Sequence, residues 1–130
     1  MAGSSPILRN EDEFVWEPVD PKNPSGHRQA ILAGTFRDAG VYCFRLRLKG
    51  KPEGGRPHWH PDWEFGTVLS GVFWVATGDR LLRADAKPMA AGAFLVIPPK
   101  TVHATWAEED TVVQIHGPGP RVTNYDSVPK

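Results

Sequence analysis

No twelve-residue stretch of this chain keeps apolar residues at i, i+3, i+4 and i+7 without a glycine or proline interrupting it. A helix of ordinary length buries one stripe at that spacing, so the pattern argues against an α-helical core. The thirteen glycines and thirteen prolines are scattered rather than clustered, as expected for many short elements joined by tight turns. Residues 41–49 show what those elements are. Tyr42, Phe44, Leu46 and Leu48 fall on one face of an extended strand, and Cys43, Arg45, Arg47 and Lys49 on the other. One side of that strand belongs in a core and the other in water.

Further strands are predicted at 29–36 (interrupted at Gly34), 92–97, 102–106 and 111–116. The continuous apolar run VFWVAT, which follows Gly71, is expected to be a strand covered on both faces. Gly78-Asp79 should turn a hairpin into RLLRA, and residues 85–91 should form a loop. Nine to eleven short strands in 130 residues imply an all-β sandwich or barrel. Residues 1–13 are polar and unpatterned and read as a flexible N-terminal arm, leaving 14–130 as a single domain.

Composition narrows the function. Fifteen basic residues balance fifteen acidic ones, so no global field draws the protein to nucleic acid or an anionic membrane. No apolar run approaches the roughly 20 residues of a membrane helix. The first residues lack the basic and apolar regions of a secretory signal. Cys43 is alone, which excludes an internal disulfide and any cysteine-rich zinc module. A reducing cytoplasm is the expected location.

The informative stretch is H58-W-H-P-D-W-E-F-G-T-V-L-S-G71. On an extended strand the side chains of i and i+2 share a face, so His58 and His60 can point at one spot. Pro61 and Asp62 bend the chain, and Glu64 can swing back toward the imidazoles. Two imidazoles and a carboxylate suit a divalent Fe, Mn, Co, Ni, Cu or Zn. A further ligand should come from a distant strand. His27 lies in a proline-rich loop, leaving His103 and His116, and His103 is placed to open the partner strand of a hairpin.

Gln114 and His116 share a strand face by period two. If that face is inward, they orient substrate or the metal's ligands, and His116 can act as acid or base. Otherwise His116 caps the strand before GPGP. Trp59, Trp63, Trp74 and Trp106 are candidates for an aromatic wall or for core and dimer contacts. Phe73 and Trp74 alternate, so only one can face a cavity. Arg56 and Lys100 can steer an anion at a rim. No GxSxG, Walker or GxGxxG pattern is present.

The run from His58 to Gly71 resembles the first motif of the cupin superfamily: HxH, three residues, Glu, six residues, Gly. The run G92-A-F-L-V-I-P98-P-K-T-V-H103 resembles the second: Gly, five residues, Pro, three residues, His. Together they span the middle of the chain. The chain is also similar in general look to small bacterial single-domain cupins grouped near acetylacetone dioxygenase. The resemblance implies a jelly-roll (double-stranded β-helix) barrel whose metal ligands are His58, His60, Glu64 and His103. It departs from the usual motifs at Pro52, Lys100 and Ala107, where glycine, glycine and asparagine are customary. None of those positions is a ligand. The departure at Lys100 falls in the turn before His103.

Three neutral imidazoles and a carboxylate leave a divalent ion with net charge +1. If the ion is six-coordinate, two positions stay open for a chelating oxygen ligand or O₂. The leading expectation is a small-molecule enzyme with one divalent transition metal, a non-haem dioxygenase using iron on a dicarbonyl or phenolic substrate. The rivals are a non-catalytic binding module and a Lewis-acid isomerase or lyase. A homodimer is expected, in part from the resemblance.

Overall fold

The computed structural model describes residues 5–51, 55–78 and 85–125. Nine strands are formed among them: β1 (Glu17–Pro18), β2 (Arg28–Ala33), β3 (Gly40–Leu48), β4 (Glu64–Ser70), β5 (Val72–Thr77), β6 (Lys87–Ala90), β7 (Phe94–Ile97), β8 (His103–Trp106) and β9 (Thr111–Gly119). Every pairing is antiparallel. One sheet has the order β1-β2-β3-β9-β4-β7 and the other β6-β5-β8. A short 3₁₀ turn at Glu11–Glu13 precedes the strands.

Alternation along the central strands builds the core. Tyr42, Phe44 and Leu48 of β3, Val68 of β4 and Val113 and Ile115 of β9 are all buried and pack with Phe73, Leu95 and Ile97. The apolar run of β5 serves two clusters. Phe73 and Val75 face the main core, while Trp74 and Ala76 pack with Ala104 and Trp106. That two-sided cover is why the run shows no alternation.

Several expectations are corrected. Residues 85–91 are not all loop: Lys87–Ala90 pairs with β5, from Val75↔Lys87 to Val72↔Ala90. As a polar, proline-containing edge strand, β6 carries none of the apolar alternation that marks a central one. The last strand continues past His116 to Gly119, because β3 pairs with it as far as Gly40. Ahead of the strands, the described residues include a 3₁₀ turn at Glu11–Glu13, where Glu13 accepts the Asn10 N–H at 2.9 Å. The polar face of β3 is not simply bathed in water, since Arg45 and Arg47 lie over the rings of Phe14 and Trp16 at 5.0 and 4.2 Å. The predicted hairpin after Gly78 lies outside the described residues.

Gly71 fixes the corner between β4 and β5. It sits at φ +75°, and an added Cβ would lie 2.7 Å from the Asp110 carbonyl and closer still to Thr111 Oγ1. Thr111 is fully buried and ties the corner down, accepting the Val72 N–H at 3.1 Å. Gly71→Ala is therefore expected to cost about 2–4 kcal/mol, as backbone strain plus displacement of Thr111. Urea denaturation checks this; an unchanged midpoint would show that the corner can relax.

Candidate metal centre

The two motifs meet through the backbone. His58 and His103 exchange N–H···O=C bonds in both directions at 2.9 Å, although His58 and Trp59 make only isolated bridges rather than a full strand. His60 follows, and its carbonyl accepts the Lys100 N–H at 2.8 Å. Lys100 takes the left-handed conformation, φ 63°, so the turn keeps the geometry for which the family motif uses glycine. Glu64 opens β4 opposite Ile97, and His103 opens β8.

The three imidazoles then share one pattern. Nδ1 of His58, His60 and His103 lies 2.9, 2.9 and 2.8 Å from the carbonyls of Arg56, Val122 and Thr101. A carbonyl only accepts, so each Nδ1 carries the proton and each Nε2 keeps a lone pair. One ring nitrogen from each histidine falls within a cluster no wider than 4.8 Å. The Nε2 atoms of His60 and His103 are buried and have no hydrogen-bond partner. Two orphaned acceptors buried this close together are costly unless an ion satisfies them. The donor set fits a divalent transition metal.

Glu64 stands beside this cluster. Its oxygens lie 3.4 Å from His60 Nε2 and 3.6 Å from His103 Nε2. The group is 5% exposed. Burial alone would push its carboxyl up, but a bond from His103 when that ring is protonated, the Arg121 guanidinium and the charged form of His60 outweigh that and hold it below the usual carboxylate range. Arg121 Nη1 donates to Glu64 at 2.5 Å and to the Tyr42 hydroxyl at 2.9 Å. Burial opposes the arginine's charge, yet Glu64 raises its pKa overall. Nothing in the sequence patterning singles out Arg121. The available signal is indirect: a carboxylate assigned to a β-core needs a buried cation close by.

His58, His103, Glu64 and Arg121 line a cavity of about 330 Å³ whose apolar wall includes Phe44 and Phe73. Of Phe73 and Trp74, the phenylalanine thus takes the cavity side. Trp59, Trp63, Trp74 and Trp106 are absent from its described lining. Trp63 is exposed and stacks on Phe65, and Trp106 is in the second core cluster. Arg56 reaches the cavity and lies over Tyr125 at 4.5 Å.

Gln114 and His116 require a correction. In β9 the inward residues are Thr111, Val113, Ile115 and Gly117, and Ile115 lines the cavity. Gln114 and His116 alternate with these and so face outward. Gln114 accepts a bond from Arg45 Nε at 2.9 Å, and His116 stacks on Phe65 at 5.1 Å. Neither can touch a ligand in the cavity. Cys43 shares their side, and burial raises its thiol pKa, which keeps it a poor nucleophile.

Burial lowers the His60 imidazole from 6.5 to about 4, against the opposing pull of Glu64, and burial also lowers His58. The unfolded chain therefore binds more protons than the folded one between these values, so stability falls as pH falls from 6.5 toward 4. Glu64 adds to the loss at still lower pH, because its folded pKa is also depressed. Metal-free protein should lose on the order of 2 kcal/mol between pH 7 and 4.5 from His60 alone. Urea midpoints at the two pH values test this, and equal midpoints would contradict it.

Two antiparallel sheets, with three imidazoles and a carboxylate gathered between them, define a small all-β domain with a pocket able to hold a metal. The family model described as Cupin domain matches residues 44–116, more than half of the chain, and the chain belongs to the cupin family. No curated protein matches it. Among solved structures it is similar to KdgF from Halomonas sp., at 23% identity over 84% of this chain and 92% of that one, with TM-score 0.63. It is similar to Fe(II) HppE at 17% identity over 90% of this chain and 62% of that one, with TM-score 0.69. Salicylate 1,2-dioxygenase from Pseudoaminobacter salicylatoxidans aligns at 15% identity over 85% of this chain and 31% of that one, with TM-score 0.65. At these identities the likeness is one of fold. Among the described residues no helix is long and apolar enough to cross a membrane.

Proposed function

We propose that this chain is a metal-dependent enzyme that binds one divalent transition metal through His58, His60 and His103, with Glu64 as the fourth ligand, and oxidises a small chelating dicarbonyl or phenolic substrate as a dioxygenase. The observation that carries this reading is the pair of buried, unpartnered Nε2 atoms of His60 and His103, clustered with a ring nitrogen of His58, where His58 and His103 line a cavity with an apolar wall. Iron is the favoured metal, consistent with the Fe(II) HppE named among the fold's relatives. Such an ion, when bound, supplies Lewis acidity and a route to O₂ chemistry.

The chain's own residues do the rest. The Arg56, Val122 and Thr101 carbonyls fix the tautomer and direction of the three rings. Arg121, itself bonded to the Tyr42 hydroxyl, holds Glu64 ionised and in place. Phe44, Phe73 and Ile115 exclude water from one wall of the cavity, which strengthens the electrostatics inside. A cavity of about 330 Å³ suits a small organic molecule.

Fe(II)-loaded protein mixed with acetylacetone and with catechol in an oxygen electrode tests the reaction class. Substrate-dependent oxygen uptake is expected with at least one of them. Turnover without oxygen would move the reading to an isomerase or lyase; a ligand bound but never consumed would move it to a binding module.

A reducing cytoplasm, in which the lone Cys43 stays a thiol, is part of the same proposal. A homodimer completes the proposal, formed through the outer face of the larger sheet. There Trp63, Phe94 and Val96 are 45%, 55% and 42% exposed, and Trp63 and Phe94 both stack with Phe65. Sedimentation of wild type and Phe94→Glu tests it, and a monomeric wild type would refute it.

A further inference from the structure

Arg121 has more hydrogen-bonding capacity than its neighbours use. A guanidinium offers five N–H donors in a rigid fork. Both bonds that Arg121's side chain makes, to Glu64 and to Tyr42, leave from Nη1. Nε and Nη2 bond to no described residue, and neither is among the buried unpartnered atoms. The side chain is 14% exposed and lines the same cavity as His58, His103 and Glu64. Its plane is held from the side, with the guanidinium carbon 5.0 Å from the Phe44 ring centre and 5.5 Å from that of Tyr42. The group is therefore fixed in direction while part of its fork stays open.

Charge points the same way. Glu64 neutralises Arg121 in the metal-free protein. Once a divalent ion joins them, one negative charge faces three positive ones in a largely buried space. A site of that balance favours an anion. Glu64 bridges the guanidinium and the imidazole nitrogens, one oxygen lying 2.5 Å from Nη1 and 3.4 Å from His60 Nε2. One small molecule can span both.

We infer that Arg121 anchors a carboxylate of the substrate through its unused Nε and Nη2 donors, so that the site takes a small organic acid bearing an oxygen donor next to the carboxylate. This rests on the metal-enzyme reading above and narrows it, from chelating oxygen compounds in general to chelating acids with an apolar body. Phe36, Phe44, Leu46 and Phe73 line the cavity and receive that body. Arg121 is then a specificity residue, while it also positions Glu64.

The test compares two near-isosteric probes, benzoylformate and 1-phenyl-1,2-propanedione. They share an aromatic ring and vicinal oxygen donors, and differ in carboxylate against acetyl. Calorimetric titration of the Mn(II)-loaded protein should show the acid binding at least about tenfold more tightly than the diketone, as for a hydrogen bond to a charged group. Arg121→Lys keeps a cation for Glu64 but has no second nitrogen to offer, and should lower the preference to within about threefold while metal stoichiometry stays the same. Arg121→Gln, checked for folding by circular dichroism, should do likewise. Equal affinities in wild type, or a preference undiminished in both variants, overturns the anchor and leaves the metal-centre reading standing. Failure of wild type to take up metal defeats that reading instead; the same titrations on the metal-free protein then decide on Arg121 by the same criterion.

Discussion

His103→Ala is expected to abolish metal binding while leaving a folded domain. His103 is fully buried, its Nδ1 is held by the Thr101 carbonyl, and its Nε2 has no protein hydrogen bond. Removing the ring therefore breaks one modest hydrogen bond and leaves a cavity, a cost of about 2–3 kcal/mol by comparison with other large-to-small core changes. The backbone bridge to His58 does not involve the side chain and stays. Metal affinity should suffer far more. Changes to groups that merely support ligands cost about 10–100-fold, so loss of a ligand itself should exceed that range. Thermal denaturation with and without added Zn(II) or Mn(II) separates the two effects. Wild type should gain stability with metal and the variant should gain almost none. A metal-induced gain equal in both proteins would place the ion elsewhere.

Arg121→Met should be the most destabilising substitution at the site in metal-free protein. It removes the cation from a carboxylate that is 5% exposed, and breaking one side of a buried pair typically costs about 3–5 kcal/mol. For a domain of this size that corresponds to a fall of roughly 10–20 °C in Tm. Two controls identify the cause. Glu64→Gln combined with Arg121→Met removes the stranded charge and should recover a large part of the loss. Saturating metal should also recover part of it, because the ion gives the Glu64 carboxylate another positive partner. A single variant as stable as wild type would mean that the Arg121–Glu64 contact contributes little.

The parts of the site that were legible in the sequence are those set by local spacing. His-x-His followed by a bend and Glu64, with Gly71 at the corner, leaves few arrangements of the chain, and the structure brings His58, His60 and Glu64 together with His103. The strand alternation at Tyr42–Leu48 was equally clear because one face enters the core. Gln114 and His116 show where pattern reading fails. In TVVQIH both faces carry an apolar residue and the buried face begins with Thr111, so parity alone does not say which side is inward. Only pairing with β3 and β4 settles it. Arg121 was illegible for a different reason. It sits beyond GPGP, follows no motif, and reaches Glu64 across 57 positions of chain through the fold alone.

Elemental analysis of wild-type protein prepared without chelator, repeated after stripping and reconstitution with Fe(II), Mn(II) or Zn(II), tests the central claim most directly. About one equivalent of a transition metal per chain, absent from His103→Ala, is the predicted result. A wild-type chain that holds no metal even after reconstitution would contradict it, and the three converging imidazoles would then be a polar pocket rather than a metal centre.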